Sequence, residues 1–306
     1  MQRPQRGRHG FDLVVIGGGV AGLTAAVHGI GRGFATALLE REAMFGGQVA
    51  TVERLEGLPL AQPASGVDLA TAMVETLRAG GVTILPQAAT AVSEGSFGWQ
   101  VATAAMVLRT RSVVVATGCR PRLLDVLGEK TLCGRGVSHC ASCDGPLFRG
   151  EEVVVAGGGD AALQEALALA AICGRVTIVA RGRLRARRAY LDRAASSANI
   201  RFIWDSAINA IRGEDRVMGV ELRNVKTGEV SELDCAGVFA YLGGIPNSEI
   251  LPQTLARDEA GFLLTDAAFR TRAEGIYAVG SVRSGYCGEL ATAAGEAAAA
   301  VASIVR

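Results

Sequence analysis

The sequence predicts an α/β protein of two Rossmann-like dinucleotide-binding domains, one inserted into the other. Three observations predict it. Asp12–Gly29 (DLVVIGGGVAGLTAAVHG) and Glu152–Leu169 (EVVVAGGGDAALQEALAL) share one pattern: a β-branched run, three glycines, then an Ala-rich helical stretch. Each copy is followed by a second apolar run of strand length, Ala35–Leu39 and Val176–Ala180, as a βαβ unit requires. A late run, Ile276–Val279, leads through Gly280 towards a second Ala-rich stretch, Ala291–Val305. That ending resembles the closing part of the first domain, so a middle segment of residues 120 to 238 reads as an insertion.

The elements follow in order. After the first copy, Val67–Ala79 has the periodicity of a helix. Trp99–Thr103 and Met106–Thr110 read as an antiparallel pair, and Val113–Ala116 as a strand ending at Thr117-Gly118. In the middle segment Ile200–Trp204, Ala207–Ile211, Val217–Arg223 and Val238–Leu242 read as strands. The Ala-rich stretch at the end carries Glu296 and reads as a packed helix.

Composition excludes several classes. The 306 residues are 49% hydrophobic, enough for more than one core. Lys and Arg number 31 against 30 Asp and Glu, which lacks the basic excess of a nucleic-acid binder. No apolar run is long enough for a transmembrane helix. The opening MQRPQRGRHG has no apolar core like that of a secretory signal. The seven cysteines are odd in number and only Cys140 and Cys143 are closely spaced. A reducing, cytoplasmic setting therefore fits better than a secreted disulfide framework.

The first glycine motif, Gly17-Gly18-Gly19-Val20-Ala21-Gly22, fits G-x-G-x-x-G between a strand and a helix. Gly17 permits the tight turn, Gly19 the approach of a pyrophosphate, and Gly22 close helix packing. Val20 and Ala21 open the helix, whose unpaired N–H groups attract phosphate. Glu40 ends the second strand, where an acid accepts hydrogen bonds from a ribose. The second motif, Gly157-Gly158-Gly159-Asp160-Ala161-Ala162, is the variant ending in Ala. Ala180 replaces the acid there, and Arg181, Arg183, Arg185, Arg187 and Arg188 follow. Arginines attract a 2′-phosphate that an acid would repel, which favours NADPH, with Arg181 and Arg185 as the candidate ligands. The alternative is the solvated, basic start of a helix.

Cys140-Ala141-Ser142-Cys143 is a C-x-x-C pair followed by Asp144. Such a pair forms and breaks a disulfide within one turn. The alternative is half of a zinc site, but zinc takes four ligands and the other cysteines are isolated in sequence. Asp144 beside a dithiol can act as an acid towards a leaving thiolate, or be a plain turn residue before Gly145-Pro146.

Gly134–Gly150 (GRGVSHCASCDGPLFRG), followed by EEVVVAGGGDAALQEAL, resembles the low-molecular-weight, bacterial-type thioredoxin reductases. The resemblance runs from Phe11 to Ala300. Gly46-Gly47-Gln48 resembles the family's flavin-ring segment, and Ala116-Thr117-Gly118 its ATG turn. Gly243–Asn247 (GGIPN) resembles its G-x-x-P-N stretch, and Gly275–Val282, with Gly280 and Ser281, its last flavin-binding strand. The resemblance implies that residues 11–119 and 239–306 bind FAD and residues 120–238 bind NADPH. It implies that Cys143 receives electrons from the flavin and Cys140 attacks the disulfide of thioredoxin or a thioredoxin-like protein, with Asp144 handling the proton. Because the CxxC shares a segment with the NADPH motif, the resemblance also implies rotation of that segment. It further implies a homodimer.

The chain departs from that pattern around the flavin. The family's Gly-Asp is here Gly280-Ser281, and its Arg-Gln aligns to Gly288-Glu289. A carboxylate near a flavin disfavours its anionic reduced form. Val52-Glu53-Arg54-Leu55-Glu56-Gly57 stands where V-E-N-aromatic-P-G is usual. His139 replaces a Tyr, and Ala180-Arg181-Gly182 replaces His-Arg-Arg. Cys287 falls in the altered stretch and is expected to be a small buried packing residue, with a third redox thiol as the alternative. These departures keep two other readings open: a flavoenzyme acting on a small dithiol or fed by ferredoxin, and a non-catalytic flavin redox sensor.

Overall fold

The computed structural model describes residues 10–52, 55, 65–96 and 98–305. Of the altered Val52–Gly57 stretch, Glu53, Arg54, Glu56 and Gly57 lie outside the described residues. The chain divides into two compact units, Met1–Arg120 with Ile245–Arg306, and Pro121–Gly244.

The first unit opens with β1 (Phe11–Ile16), α1 (Val20–Gly31) and β2 (Thr36–Leu39), with β1 and β2 parallel. α2 (Gly66–Ala79) starts at a capping box in which Ser65 and Asp68 satisfy each other's backbone N–H. β3 (Thr83–Leu85), β4 (Ala89–Gly95), β5 (Gly98–Thr103) and β6 (Val107–Val115) follow. The sheet order is β3-β2-β1-β6-β5-β4. The runs Met106–Thr110 and Val113–Ala116, expected as two strands, are one. The first half of β6 pairs antiparallel with β5 and its second half pairs parallel with β1. Its burial changes from alternating to continuous at the switch, which is why the sequence reads as two strands.

Beyond β7 (Cys119–Pro121) the second unit contains β8 (Val137–Ser138), α3 (Ala141–Asp144), β9 (Glu152–Ala156), α4 (Asp160–Ala170), β10 (Arg175–Val179) and α5 (Arg188–Ser196). It continues through β11 (Ile200–Ile203), β12 (Ser206–Arg212), β13 (Gly219–Asn224), β14 (Val230–Asp234) and β15 (Gly237–Ala240). The parallel sheet runs β11-β10-β9-β15-β8, and β12-β13-β14 form a separate antiparallel sheet. Val238 registers against Val154 of β9. This strand therefore belongs to the middle unit, and the return crossing falls after Gly244 rather than after residue 238. The return runs through β16 (Gly244–Pro246), which pairs with β7. β17 (Ile276–Ala278) then joins β6, and α6 (Leu290–Ala302) ends the first unit.

Each central strand divides its side chains between two cores. In β1, Leu13 and Val15 pack in a cluster with residues of α1, α2 and α6, while Val14 and Ile16 join Trp99, Val101 and Leu108. In β9, Val153 and Val155 face the α4 cluster, while Val154 pairs with Ile208, Val220 and Leu222 of the antiparallel sheet. Both faces are dry, so both strands read as continuous apolar runs.

Burial also sorts the thiols outside the CxxC. Cys173 and Cys235 are buried, while Cys133 and Cys287 are exposed. Burial pushes Cys173 up and takes Cys235 to about 12. Since the thiolate is the reactive form, native protein at pH 8 should be labelled by a thiol reagent at Cys133 and Cys287. Cys173 and Cys235 should react only after unfolding, as peptide mass spectrometry will show.

Candidate active site

The first unit gathers the predicted residues of the N- and C-terminal segments around the start of α1. A Cβ on Gly17 would lie 2.3 Å from the Ala116 carbonyl oxygen, and one on Gly22 would lie 1.8 Å from that of Gly17. Only glycine lets these backbones meet. A Cβ on Gly19, in contrast, would meet nothing nearer than the Gly46 oxygen at 3.9 Å. α1 has no side-chain cap and no acid in its first turn. Open space therefore faces uncapped N–H groups at Val20 and Ala21, the arrangement a pyrophosphate needs. The Glu40 carboxylate accepts the Gly18 N–H at 2.5 Å and the Glu42 N–H at 2.8 Å.

The Gly46-Gly47-Gln48 segment docks on this turn. Gly46 N–H donates to the Gly18 oxygen at 2.8 Å, and Gly46 and Gly47 both have positive φ. The Gln48 side-chain amide donates to the Cys119 carbonyl at 3.1 Å. At the ATG turn, Thr117 Oγ1 donates to the Asn247 carbonyl and Asn247 Nδ2 returns a bond to the Thr117 carbonyl, at 2.6 and 2.9 Å. Ser281 Oγ lies 3.5 Å from where a Gly118 Cβ would stand, and the corresponding Gly280 position is 3.1 Å from Ala21 Cβ. Residues from four distant stretches thus converge on one cradle.

Glu296 holds this last turn and was not singled out as a site residue. Its carboxylate accepts the Gly280 N–H at 2.8 Å and pairs with Arg283 at 2.5 Å. Its side chain is 3% exposed and that of Arg283 is 16% exposed. A single acid in an Ala-rich helix was the available signal. Cys287 is not the buried packing residue expected: it is exposed, with Sγ 3.1 Å from Thr292 Oγ1. Glu289 is exposed at the N-cap of α6, and its carbonyl accepts the Tyr286 hydroxyl at 2.9 Å.

The second unit repeats the arrangement. A Cβ on Gly157 would lie 2.4 Å from the Tyr241 carbonyl oxygen, while one on Gly159 would meet nothing within 4 Å. α4 starts directly after Gly159 with Asp160, Ala161 and Ala162, and no side chain caps it. The arginine-rich stretch lies along the motif, because Arg185 N–H donates to the Gly158 oxygen at 2.7 Å. Leu184 and Ala186 are buried between exposed Arg181, Arg183, Arg185 and Arg187. Arg187 is tied to Asp160, with Nε–Oδ2 at 2.6 Å, and Arg188 to Asp192. Arg181, Arg183 and Arg185 are exposed.

The CxxC pair belongs to this second unit. Cys140 caps the N-terminus of α3 and is joined to Cys143, with Cα atoms 5.3 Å apart. Cys143 is exposed and Cys140 half-buried. Ser138 Oγ donates to Asp144 Oδ2 at 2.6 Å and accepts the Cys140 N–H at 3.0 Å. Asp144 is thereby linked through Ser138 to the backbone of Cys140. Tyr241 accepts the Ala141 N–H through its hydroxyl at 2.9 Å, and His139 Nδ1 lies 3.1 Å from the Ala240 oxygen. Neither Ser138 nor Tyr241 carries a motif of its own: each matters through contacts that only the folded turn brings together. Among the described residues no cluster of His, Cys, Asp or Glu could hold a metal ion.

Two Rossmann-like units, one carrying a CxxC disulfide, define a flavin- and nicotinamide-dependent disulfide oxidoreductase. The family model "Pyridine nucleotide-disulphide oxidoreductase" matches residues 11–298. Thioredoxin reductase of Treponema pallidum (strain Nichols) is 38% identical over 292 residues, covering 95% of this chain and 94% of that protein. The Bacillus subtilis (strain 168) enzyme of the same name is 35% identical, covering 96% and 93%. The crystal structure of Lactococcus lactis thioredoxin reductase superposes with a TM-score of 0.88 at 38% identity, covering 95% of this chain and 97% of that one. The chain belongs to the thioredoxin reductase family of pyridine nucleotide-disulphide oxidoreductases. Its cofactors are FAD and NADPH, and the open glycine cradle of each unit fits a dinucleotide.

Proposed function

We propose that the protein reduces the disulfide of thioredoxin, or of a thioredoxin-like protein, with two electrons drawn from NADPH. The observation that carries this reading is the Cys140–Cys143 disulfide beside Asp144, in the unit that also holds the second glycine motif. When bound, FAD accepts a hydride from NADPH and delivers two electrons to that disulfide. The chain's own residues do the rest. The Gly17–Gly22 turn, Glu40, Gly46–Gln48, Ala116–Gly118 and Gly280-Ser281 hold and orient the flavin nucleotide. Gly157, Gly159 and the N-terminus of α4 hold the pyrophosphate of NADPH, and Arg181 and Arg185 select its 2′-phosphate.

Cys143 takes the flavin side. In the reduced pair, Cys140 as thiolate attacks the partner's disulfide, forming a mixed disulfide and expelling one partner thiolate, which Asp144 protonates. Cys143 then attacks Cys140 Sγ, restoring the pair and releasing the partner as a dithiol. The balance is one NADPH and one proton consumed per disulfide reduced.

No helix among the described residues is long and apolar enough to cross a membrane, and the reading includes a cytoplasmic homodimer. Light scattering should then give twice the chain mass of 31.6 kDa. The functional test is NADPH oxidation by the FAD-loaded protein with thioredoxin from the same organism. Turnover should depend on thioredoxin and disappear in Cys140→Ser. Oxygen consumption driven by a small dithiol without NADPH, with no thioredoxin-dependent turnover, would replace this reading by the small-dithiol one.

A further inference from the structure

Ser138 stands between Asp144 and Cys140 and touches both. It is the last residue of β8, is registered against Phe239 of β15, and is 5% exposed. Its Oγ lies 2.6 Å from Asp144 Oδ2, 3.3 Å from the Cys140 carbonyl oxygen and 3.0 Å from the Cys140 backbone nitrogen. That nitrogen donates, so one lone pair of the hydroxyl is taken. One hydrogen and one lone pair remain. Two acceptors, the carboxylate and the carbonyl, lie within reach of that hydrogen. The carbonyl already accepts the Asp144 N–H at 3.1 Å and keeps a second lone pair for the hydroxyl.

We propose that Ser138 is a positioning residue that holds Asp144 in place in both of its protonation states. When Asp144 is ionised, the Ser138 hydroxyl donates to it. When Asp144 carries a proton, the carboxyl O–H donates to the remaining lone pair of Ser138 Oγ, and the hydroxyl hydrogen turns to the Cys140 carbonyl. A backbone N–H in this place would hold only the ionised form and favour it. Rotation of one hydroxyl serves both forms without moving a heavy atom. Pairing of β8 with β15 fixes Ser138 to the sheet, and the Cys140 N–H ties it to the CxxC turn.

The inference rests on the proposed function, in which Asp144 serves the dithiol. The Cys140 thiolate attacks one sulfur of the partner's disulfide, and that S–S bond breaks as the mixed disulfide forms. The first leaving thiolate takes the proton of Asp144. The carboxylate then takes the proton of Cys143, whose sulfur attacks Cys140 Sγ. The second leaving thiolate takes that proton from Asp144 in turn. Two electrons pass from the dithiol to the disulfide, and two protons end on the two product thiols. Asp144 thus gives up a proton twice and regains one in between, so both of its forms have to stay oriented within one turnover.

The test uses FAD-loaded protein reduced by dithiothreitol, desalted anaerobically and mixed with one of two probe disulfides. Hydroxyethyl disulfide releases a basic alkyl thiolate, whose departure an acid assists. Dithiobis(nitrobenzoate) releases an aromatic thiolate of low basicity, which leaves without a proton. Thiols remaining at Cys140 and Cys143 are alkylated and counted by peptide mass spectrometry, and flavin content and melting temperature check the fold. Ser138→Ala should slow reoxidation by the alkyl disulfide about tenfold, a part of what general acid catalysis supplies, and should match wild type with the aromatic one. Ser138→Thr keeps the hydroxyl and should restore the alkyl rate. Ser138→Val has the shape of threonine without the hydroxyl, and it carries the test if Ser138→Ala does not fold. In Asp144→Asn, adding Ser138→Ala should change the alkyl rate little. Equal slowing with both disulfides, slowing with neither, a threonine variant no faster than valine, or a full further loss on top of Asp144→Asn overturns the proposal. Neither probe needs NADPH or thioredoxin, so failure of wild type to turn over thioredoxin sinks the functional reading alone.

Discussion

Replacing Cys143 by serine is expected to cut thioredoxin-dependent turnover by at least about a thousandfold, the scale on which loss of a catalytic nucleophile acts. Reduction of the bound flavin by NADPH should survive. The reason is chemical. A serine cannot form the disulfide that links flavin electrons to the partner, and its hydroxyl does not ionise near neutral pH. The substitution is almost isosteric and the side chain is exposed, so the fold should not change. The backbone bond from residue 143 to Cys140 Sγ, 3.2 Å in the native chain, does not depend on the replaced sulfur. Stopped-flow flavin absorbance with NADPH, run beside the steady-state assay, separates the two half-reactions. Loss of both together would place Cys143 in the fold rather than in the electron path.

The largest loss of stability is expected at Glu296. Glu296→Ala strands Arg283 in a nearly closed environment and removes the acceptor for the Gly280 N–H. Breaking one side of a buried ion pair costs about 3–5 kcal/mol. Arg283 has few alternatives: its Nε is already without a partner, and its guanidinium lies over the Phe269 ring at 5.1 Å. The turn Gly280-Ser281 should loosen with it, so FAD retention on purification should also fall. Urea unfolding measures the first effect and the ratio of flavin to protein absorbance the second. Glu296→Gln keeps an acceptor for Gly280 and should lose less. Equal stability of Glu296→Ala and wild type would mean that the pair does not hold the turn.

Much of this was legible in the sequence because the demands are local. Gly17 and Gly22 are fixed by contacts inside one strand-turn-helix, so three glycines after a β-branched run identify them. The Cys140 to Asp144 stretch is likewise a single turn. What was not legible depends on distant pairings. Tyr241 meets Ala141 only because β15 and β8 are neighbours in the second sheet. Ser138 belongs to no motif, and its bridge between Cys140 and Asp144 exists only in the folded turn. β4 and β14 were missed because most of their side chains face water, leaving little period-two signal. The extent of α5 was not legible, because beyond its basic start the short helix has one fully buried residue, Ala194. The break in β6 was an artefact of its changing burial, since an exposed Arg111, paired with Asp12, interrupts the apolar run. The return crossing was placed too early because nothing in Val238–Leu242 says which sheet it joins.

One measurement tests the electron path most directly: anaerobic titration of the FAD-loaded protein with NADPH, followed by flavin absorbance and thiol counting. The account predicts bleaching of the flavin band and two new thiols per chain, both at Cys140 and Cys143. Addition of oxidised thioredoxin should then restore the flavin band and remove those thiols. A flavin that stays oxidised in excess NADPH, or one that bleaches while the Cys140–Cys143 disulfide remains intact, would contradict it.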